Sequence, residues 1–398
     1  MTTPPPSTAV PLKVGLSGLI GFSVGILASL ALNLGPISAL AALILCTGAP
    51  MWWLEWQRHS PLTDPPVLTS EDARTRRRHR AAGLLALSAI WAAMLNVLSL
   101  SQPSILSGFW DALFAIWPAL PLWAAFYIFK TARTGSGGIE SIGKWILLSR
   151  KARDIPIAEA RDQVVKAFFL PLMVSFAYSW SDKFSISDQM LPATWFSLSI
   201  SILYLIDTVF GTVGYLSTSR RLDAHIRSSN PSWLGWSAAL SCYPPIFVWL
   251  QSAGLRYGDG FTWSNWLSTS HPAYYLWALA ILTLTGIYTL STIAFGIRFS
   301  NLTNRGIITS GPYRFAKHPA YISKNISWWL ISVPFIPSSG AMTAIWHCTA
   351  LLAINLIYFI RARTEESHLS QDPAYQAYCA WISAHGLLPR LKLYLTPK

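Results

Sequence analysis

Long apolar runs recur along the whole chain, and polar residues are concentrated in the segments between them. Each run is about 20 residues long, the length that an α-helix needs to span a hydrocarbon core of about 30 Å. The runs are continuous and lack the alternation that is typical of a membrane β-barrel. The pattern therefore predicts an all-α, polytopic integral membrane protein with about ten transmembrane helices. The expected spans are residues 14–34, 37–56, 81–101, 108–129, 165–181, 195–216, 234–252, 272–296, 322–336 and 340–360.

The composition agrees with a membrane protein. Of the 398 residues 52% are hydrophobic and 12% are charged, and the mean hydropathy is +0.38. A soluble domain carries about twice this charged fraction. The four cysteines show no paired spacing, so we expect neither disulfides nor a metal site. The opening segment MTTPPPSTAVP is expected to be a disordered tail.

The positions of the basic residues predict the orientation. If ten spans begin in the cytoplasm, 28 of the 30 Lys and Arg residues lie on the cytoplasmic side, and only Lys183 and Arg256 lie outside. The positive-inside rule predicts such a bias, so both termini are expected in the cytoplasm. The net charge of +13, including the run Arg74–Arg80, then indicates contact with anionic membrane lipids and no nucleic-acid partner. We expect the inner (plasma) membrane of a bacterium.

The longest polar connection divides the chain into three parts. Residues 1–130 are predicted to be an N-terminal four-helix transmembrane extension. Residues 131–164 are predicted to be a cytoplasmic linker, in which apolar residues at helical spacing over 139–148 indicate an interfacial helix. Residues 165–398 are predicted to be a six-helix transmembrane region, with a polar motif part over 297–390.

Two polar segments near the C-terminus stand out from this apolar background. The first is NRGIITSGPYRFAKHPAY, at residues 304–321, and the second is RARTEESHL, at residues 361–369. The Gly-Pro turn places Tyr313 before a helix whose first turn carries Pro319. A short connection joins the two helices that carry these segments, which predicts a hairpin.

The hairpin is expected to bring His318 and Tyr321 close to Arg361, Glu365 and Glu366. Two carboxylates, a histidine and aromatic rings suit a cationic ligand such as a sulfonium. One arginine can orient an anionic nucleophile through two hydrogen bonds. The alternative is that Arg361 and Glu365, four residues apart on one helix face, form an interfacial salt bridge beside an ordinary aromatic belt.

Four further residues are candidates for contact with a substrate. Asp207 lies in the middle of a predicted span, where an ionisable group either serves helix packing or lines a cavity. Asn325 is one turn beyond Tyr321, and Trp328 and Trp329 continue into the same span.

The two motifs resemble a known family. GPYRFAKHPAY resembles the G-x-Y-R-x-x-R-H-P-x-Y signature of the isoprenylcysteine carboxyl methyltransferase family, with Lys317 where arginine is usual. RARTEESHLSQDPAYQAYCAW resembles the closing R-x-x-x-E-E-x-x-L…Y-x-x-Y pattern of the same family. The resemblance covers roughly residues 270–390 and extends to phospholipid methyltransferases and, more distantly, to sterol reductases.

The resemblance implies S-adenosylmethionine as the cofactor, bound on the cytoplasmic side. The residues implied in binding are Tyr313, His318, Pro319, Tyr321, Glu365 and Glu366. It also implies that a lipophilic acceptor enters from the bilayer and that Arg361 and Glu366 act on it. We therefore expect a membrane methyltransferase acting on an isoprenylcysteine-like carboxylate or a lipid. An NADPH-dependent sterol-type reductase and a non-enzymatic transporter or lipid-binding protein are the alternatives.

Overall fold

The computed structural model describes residues 4–59, 70–130, 138–148, 154–182 and 194–390. The α-helices in these ranges are α1 (Leu12–Ala31), α2 (Pro36–Arg58), α3 (Ser70–Ser101), α4 (Ser107–Ile116), α5 (Leu120–Lys130), α6 (Gly138–Leu148), α7 (Asp154–Asp182), α8 (Thr194–Leu216), α9 (Trp233–Leu240), α10 (Ile246–Leu250), α11 (Trp263–Trp266), α12 (Pro272–Phe295), α13 (Pro319–Ser332), α14 (Ala341–Leu369) and α15 (Pro373–His385). Two short strands, β1 (Ser228–Ser229) and β2 (Thr303–Asn304), pair antiparallel.

The helical content confirms the prediction of an all-α polytopic membrane protein. Among the described residues, eight helical segments are long and apolar enough to cross a membrane. They are Leu12–Ala31, Pro36–Arg58, Glu71–Ser101, Ser104–Phe129, Ile157–Ser181, Trp195–Leu216, Pro272–Arg298 and Ala341–Leu369. The number of crossings and the location of the termini remain predictions.

Two of the ten predicted spans differ from continuous membrane helices. The predicted span 234–252 is interrupted between α9 and α10, around Pro244 and Pro245, because proline supplies no backbone N–H for a helix interior. The predicted span 322–336 corresponds to α13, whose 14 residues rise only about 21 Å. By contrast, α14 runs nine residues past the predicted end at 360, so the second polar motif continues the helix.

The helices from both ends of the chain share one hydrophobic core. Helices α1 and α2 pack against each other and against α8, and α12 packs against α1, α8 and α13. A Cβ added to Gly15 of α1 would lie 2.1 Å from the Ile293 carbonyl oxygen of α12, so the two backbones approach closely there. Buried members of this core include Val14, Met51, Phe169, Phe210 and Ile293.

A helix, α6, forms where the sequence predicts an interfacial helix, and it packs against α3; its interfacial location remains a prediction. Glu140 of α6 is buried and accepts hydrogen bonds from Arg76 and Arg80, at distances of 2.7 Å from Arg76 Nε and 3.0 Å from Arg80 Nε. Trp145 and Ile146 are exposed on the opposite side. Two arginines of the basic run therefore bind a carboxylate within the protein. Most of the predicted linker on either side of α6 lies outside the described residues. The division into three parts remains a prediction.

A buried arginine fixes the loop between α8 and α9. The Arg305 guanidinium donates hydrogen bonds to the carbonyl oxygens of Ala224, Gly214 and Phe299, at 2.5–2.9 Å. Burial lowers the pKa of Arg305 to about 9. Three carbonyl acceptors from three separate segments hold this side chain, so the loop is tied to the chain that leads into β2.

A second buried arginine joins the N-terminal helices to the same loop. Arg298 Nη2 lies 3.1 Å from Asp223 Oδ2 and 3.7 Å from Glu55 Oε2 of α2. Burial would raise the pKa of Asp223, but Arg298 and then Arg227 lower it below the ordinary value. The pair therefore stabilises the fold only while Asp223 is ionised.

The opening segment, expected to be a disordered tail, lies against the loop that precedes α13. The Ala9 N–H donates to Ile307 O at 2.8 Å, and Thr309 Oγ1 donates to Pro6 O at 2.7 Å. The Thr309 N–H also donates to Thr8 Oγ1 at 3.2 Å. The expectation was wrong for this part of the segment because its composition, rich in proline and threonine, gives no signal for such long-range backbone pairing.

Labelling tests the predicted orientation. We expect a cysteine at Ser270, an exposed position in a predicted outer loop, to react with an impermeant maleimide added to intact cells. A cysteine at Arg220, exposed in a predicted cytoplasmic loop, is expected to react only after permeabilisation. Both variants are made after the four native cysteines are replaced. The reverse pattern would overturn the predicted orientation.

Acid titration tests the ion pair of Asp223. Because the folded-state pKa is lowered, the stabilisation is complete above the unfolded-state pKa of about 3.9 and is lost as the pH falls through the folded-state value. Asp223→Asn is therefore expected to lower the melting temperature in detergent at neutral pH. The difference from the wild type is expected to shrink below about pH 4. A pH-independent difference would contradict this account.

Candidate functional site

A cavity of about 970 Å³, part of it open to solvent, lies where α9, α12, α13 and α14 meet the segment after α12. This volume includes the space that is open to solvent, so the lining side chains and not the size of the cavity indicate what it could bind. Polar and charged side chains that line it are Asn230, Tyr243, Tyr288, Thr292, Ser300, Asn301, Thr303, Tyr313, Lys317, His318, Tyr321, Lys324, Tyr358, Arg361, Thr364, Glu365 and His368.

Helical spacing explains why the two motifs supply so many of these side chains. On α13, Tyr321 and Lys324 follow three and six residues after His318, its N-cap residue, and share the face towards the cavity. On α14, Arg361 and Glu365 are four residues apart and lie on one face. The hairpin predicted from the sequence therefore places both motifs around one cavity.

The first motif is held in place from outside the cavity. Gly311 has φ +61°, a conformation that favours glycine, and begins the 3₁₀ turn that carries Tyr313. The Tyr378 hydroxyl of α15 donates to Tyr313 O at 2.7 Å and lies 3.2 Å from Ala316 O. Burial raises the pKa of Tyr378, so this phenol remains a proton donor at neutral pH. Helix α15 thus fixes the turn that presents Tyr313.

One end of the cavity combines stacked rings with two carboxylates. The rings of His318 and Tyr321 are parallel to within 4°, with centroids 5.3 Å apart. The Tyr321 hydroxyl donates to Glu365 Oε2 at 2.7 Å, and His318 Nε2 lies 3.1 Å from Glu366 Oε1. Each ring is therefore oriented by its own carboxylate from α14.

The two glutamates differ in their surroundings. Glu366 is already engaged by cations, since Arg363 Nη1 lies 3.0 Å and Lys317 Nζ lies 3.6 Å from its Oε2. Glu366 is also absent from the cavity lining, whereas Glu365 lines it. Among the described residues Glu365 forms no ion pair, so it is the carboxylate available to a cation in the cavity.

Arg361 is buried in the middle of the cavity wall. Its Nη2 donates to Asn301 Oδ1 at 2.5 Å, and its guanidinium carbon lies 5.0, 5.7 and 5.9 Å from the ring centroids of Tyr321, Tyr243 and Tyr358. The alternative of an Arg361–Glu365 salt bridge is wrong, because Asn301 and the rings surround the guanidinium. A cation stacked on rings keeps most of its donors for a ligand.

Asn301 is itself fixed by two phenols. Its side-chain Nδ2 donates to the hydroxyls of Tyr215 at 3.1 Å and Tyr243 at 3.2 Å. The Asn301 backbone N–H also donates to the Tyr215 hydroxyl at 2.9 Å. These contacts determine which end of the amide is the oxygen, and that oxygen faces Arg361. Arg361 is thus positioned through residues of α8 and of the segment between α9 and α10.

The four substrate candidates lie outside the cavity lining. Both oxygens of Asp207 accept hydrogen bonds at 2.5 Å, from the hydroxyls of Tyr288 and Thr292 on α12, so its contacts are those of helix packing. Trp329 Nε1 donates to Asn355 Oδ1 at 2.8 Å. Asn355 Nδ2 in turn donates to Asn325 Oδ1 at 2.8 Å, which joins α13 to α14.

The remaining predicted site residues occupy two kinds of position. Tyr313, His318, Tyr321, Arg361 and Glu365 line the cavity. Pro319 begins α13, and Trp328 packs edge-on against Tyr358 with ring centroids 5.3 Å apart. The structure thus brings the predicted cofactor residues to one place, and their roles remain predictions.

Several cavity residues were missed in the sequence, among them Lys324, Asn301 and Tyr243. Lys324 had a signal, because it is a charged residue inside a predicted span, the kind of position that favours a functional role. Asn301 and Tyr243 had none, because one is in a loop and the other lies at the interruption between α9 and α10. Only tertiary packing brings them to Arg361.

The part of the chain that resembles known proteins includes most of the residues that line the cavity. A model of the isoprenylcysteine carboxyl methyltransferase (ICMT) family matches residues 272–371, from the start of α12 to just past the end of α14. Over 188 residues the chain is 31% identical to the cobalt-zinc-cadmium resistance protein CzcN of Cupriavidus metallidurans. That alignment covers 43% of this chain and 76% of CzcN. No solved structure matches the chain.

These similarities and the helical architecture define a multi-pass membrane protein with a methyltransferase-family domain in its C-terminal part. The chain belongs to the isoprenylcysteine carboxyl methyltransferase family.

Proposed function

We propose that this protein is an S-adenosylmethionine-dependent methyltransferase that acts on a lipophilic, membrane-embedded acceptor, an isoprenylcysteine-like carboxylate or a lipid. The observation that carries the proposal is the arrangement of opposite charges along one cavity. The carboxylate of Glu365 lies at one end, beside the stacked rings of His318 and Tyr321, and the buried Arg361 lies next to it. A cationic donor and an anionic acceptor each have a counter-charge.

The residues at the Glu365 end fit the cofactor that the family implies. The sulfonium of S-adenosylmethionine supplies an activated methyl group when the cofactor is bound. Glu365 has an oxygen that is free of the Tyr321 hydrogen bond, and a carboxylate in a partly enclosed cavity attracts a cation more strongly than one in bulk water. The faces of His318 and Tyr321 add further attraction for a positive charge. We therefore assign cofactor binding to Glu365, His318, Tyr321 and Tyr313.

Glu366 acts in this proposal through His318. Its Oε1 holds the His318 ring in the stacked orientation, and its other oxygen is neutralised by Arg363 and Lys317. Glu366 is then a positioning residue, whereas the sequence motif alone suggested contact with the acceptor.

Arg361 positions the acceptor. It is buried and fixed by Asn301 and three rings, so a group that it binds is held in one orientation. The activated donor leaves alignment of the nucleophile as the main task of the enzyme. The proposal also includes the predicted orientation, with the active site facing the cytoplasm of a bacterium. The sterol-type reductase would be favoured instead if NADPH bound and S-adenosylmethionine did not.

Replacement of each glutamate separates the two roles. Glu365→Gln keeps the shape and removes the charge, so we expect S-adenosylmethionine affinity to fall about tenfold or more. Glu366→Gln is expected to cause a smaller loss, because its charge is already compensated by Arg363 and Lys317. Isothermal titration calorimetry of purified protein measures both, with NADPH as the comparison ligand.

The unmodified protein and the variants give distinct outcomes. Wild-type protein that binds NADPH and not S-adenosylmethionine would overturn the proposed function. Equal losses in the two variants would contradict the separate roles of Glu365 and Glu366.

Arg361→Lys tests acceptor positioning. Lysine keeps the charge but loses the planar arrangement of donors, so we expect methyl transfer to fall by about 100-fold while S-adenosylmethionine affinity stays within a few-fold. The measurement is transfer of a radiolabelled methyl group to membrane lipids and prenylcysteine analogues. Arg256→Lys, in a loop away from the cavity, is the matched control. Full activity of Arg361→Lys would show that no oriented acceptor contact comes from this residue.

A further inference from the structure

Lys324 lines the cavity together with Arg361 and the ion-paired Lys317, and no motif accounts for it. It lies on α13 one turn beyond Tyr321, on the side away from His318, and its side chain is half-buried. A lysine ammonium carries three donors, and in a cavity that is partly open these donors are available to a ligand. Among the described residues its Nζ forms no hydrogen bond or ion pair, whereas His318 and Tyr321 are each paired with a glutamate.

Aromatic rings surround this ammonium where a counter-ion is expected. Its Nζ lies 4.9 Å from the ring centroid of Tyr288, 5.4 Å from that of Trp328 and 6.0 Å from that of Tyr358. Ring faces stabilise a cation only modestly and accept no strong hydrogen bond. The positive charge of Lys324 is therefore only weakly compensated by the rings, and it can attract an anion that enters the cavity.

The buried carboxylate of Asp207 does not fully compensate the positive charge of Lys324. Asp207 interacts electrostatically with Lys324, but both of its oxygens are occupied by the hydroxyls of Tyr288 and Thr292. Tyr288 and Thr292 line the cavity, whereas Asp207 lies behind them. Asp207 thus offsets part of the cost of burying Lys324 and leaves the ammonium donors directed elsewhere.

The charges follow an order along the cavity. Glu365 lies at the end of the cavity that is assigned to the methyl donor. Arg361 comes next and contacts the rings of Tyr321 and Tyr358. Lys324 lies beyond Arg361 and contacts the ring of Tyr358 as well. A head group at Arg361 therefore meets a second positive charge on the side away from the donor. Two cations attract an anionic oxygen and repel an ammonium.

We propose that Lys324 is an acceptor-binding residue, which together with Arg361 makes the cavity select amphiphiles with an anionic oxygen in the head group over amphiphiles with an amine. The inference rests on the proposed function in that it assigns one more residue to the acceptor site of the same cavity. Lys324 provides selectivity, and Arg361 provides orientation.

Binding of three probes with one chain length tests the selectivity without methyl transfer. Dodecanoate, dodecylamine and dodecanol are titrated into protein in phosphatidylcholine nanodiscs at about pH 8, where carboxylate and amine are both ionised. Empty nanodiscs give the background from partition into lipid. We expect wild-type protein to bind dodecanoate about tenfold or more tightly than dodecanol, and dodecylamine least.

Variants at Lys324 identify the source of the preference. Lys324→Met keeps the length of the side chain and removes the charge, so the preference for dodecanoate over dodecanol is expected to fall about tenfold. Lys324→Arg keeps the charge and is expected to retain most of it. Lys144→Met, on the exposed side of α6, is the matched control and is expected to behave as wild type.

Each outcome decides the inference. A preference that survives in Lys324→Met, whatever the change in melting temperature, would show that Lys324 only balances Asp207 and would overturn it. If Lys324→Met does not fold, loss of the preference in Lys324→Gln supports the inference and its retention overturns it. Wild-type protein that binds S-adenosylmethionine but shows no carboxylate preference would overturn this inference alone. Carboxylate preference without S-adenosylmethionine binding would overturn the proposed function instead.

Discussion

Burial of the Arg361 guanidinium in a bundle of apolar helices is the constraint on which the site depends. A buried cation costs free energy unless other groups surround it with negative potential. Here an amide oxygen and the faces of three tyrosine rings do so, and they come from α13, α14, the interruption between α9 and α10, and the loop after α12. Stabilising one side chain therefore requires four segments to meet, and their meeting encloses the cavity.

The surrounding loops meet a similar requirement with carbonyl oxygens and carboxylates. Arg305 is held by three backbone carbonyls, and Arg298 by Asp223 and Glu55. The contact between Arg298 and Glu55 joins the turn just after α12 to α2. The N-terminal helices therefore support the part of the chain that matches the family. Their contribution is mechanical, through shared packing and through the charge of Glu55 in a buried position.

The sequence predicted the membrane class and the two motifs because both depend on local patterns. Apolar runs determine where helices form, and the spacing of Arg361 and Glu365 places them on one face of α14. Long-range contacts were not predictable in this way. No local pattern shows that Asn301 would accept from Arg361, or that Glu366 would be neutralised while Glu365 faces the cavity. The two prolines at 244 and 245 predict the interruption of the helix. Nothing in the sequence predicts that the interruption places Tyr243 beside Arg361.

The contact of the opening segment with the loop before α13 has a consequence for biosynthesis. Ala9 leaves the ribosome before its partner Ile307, which follows only after most of the membrane helices have been made. The opening segment must therefore stay accessible on one side of the membrane throughout insertion. A chain truncated before Ile307 therefore leaves the opening segment without this binding partner.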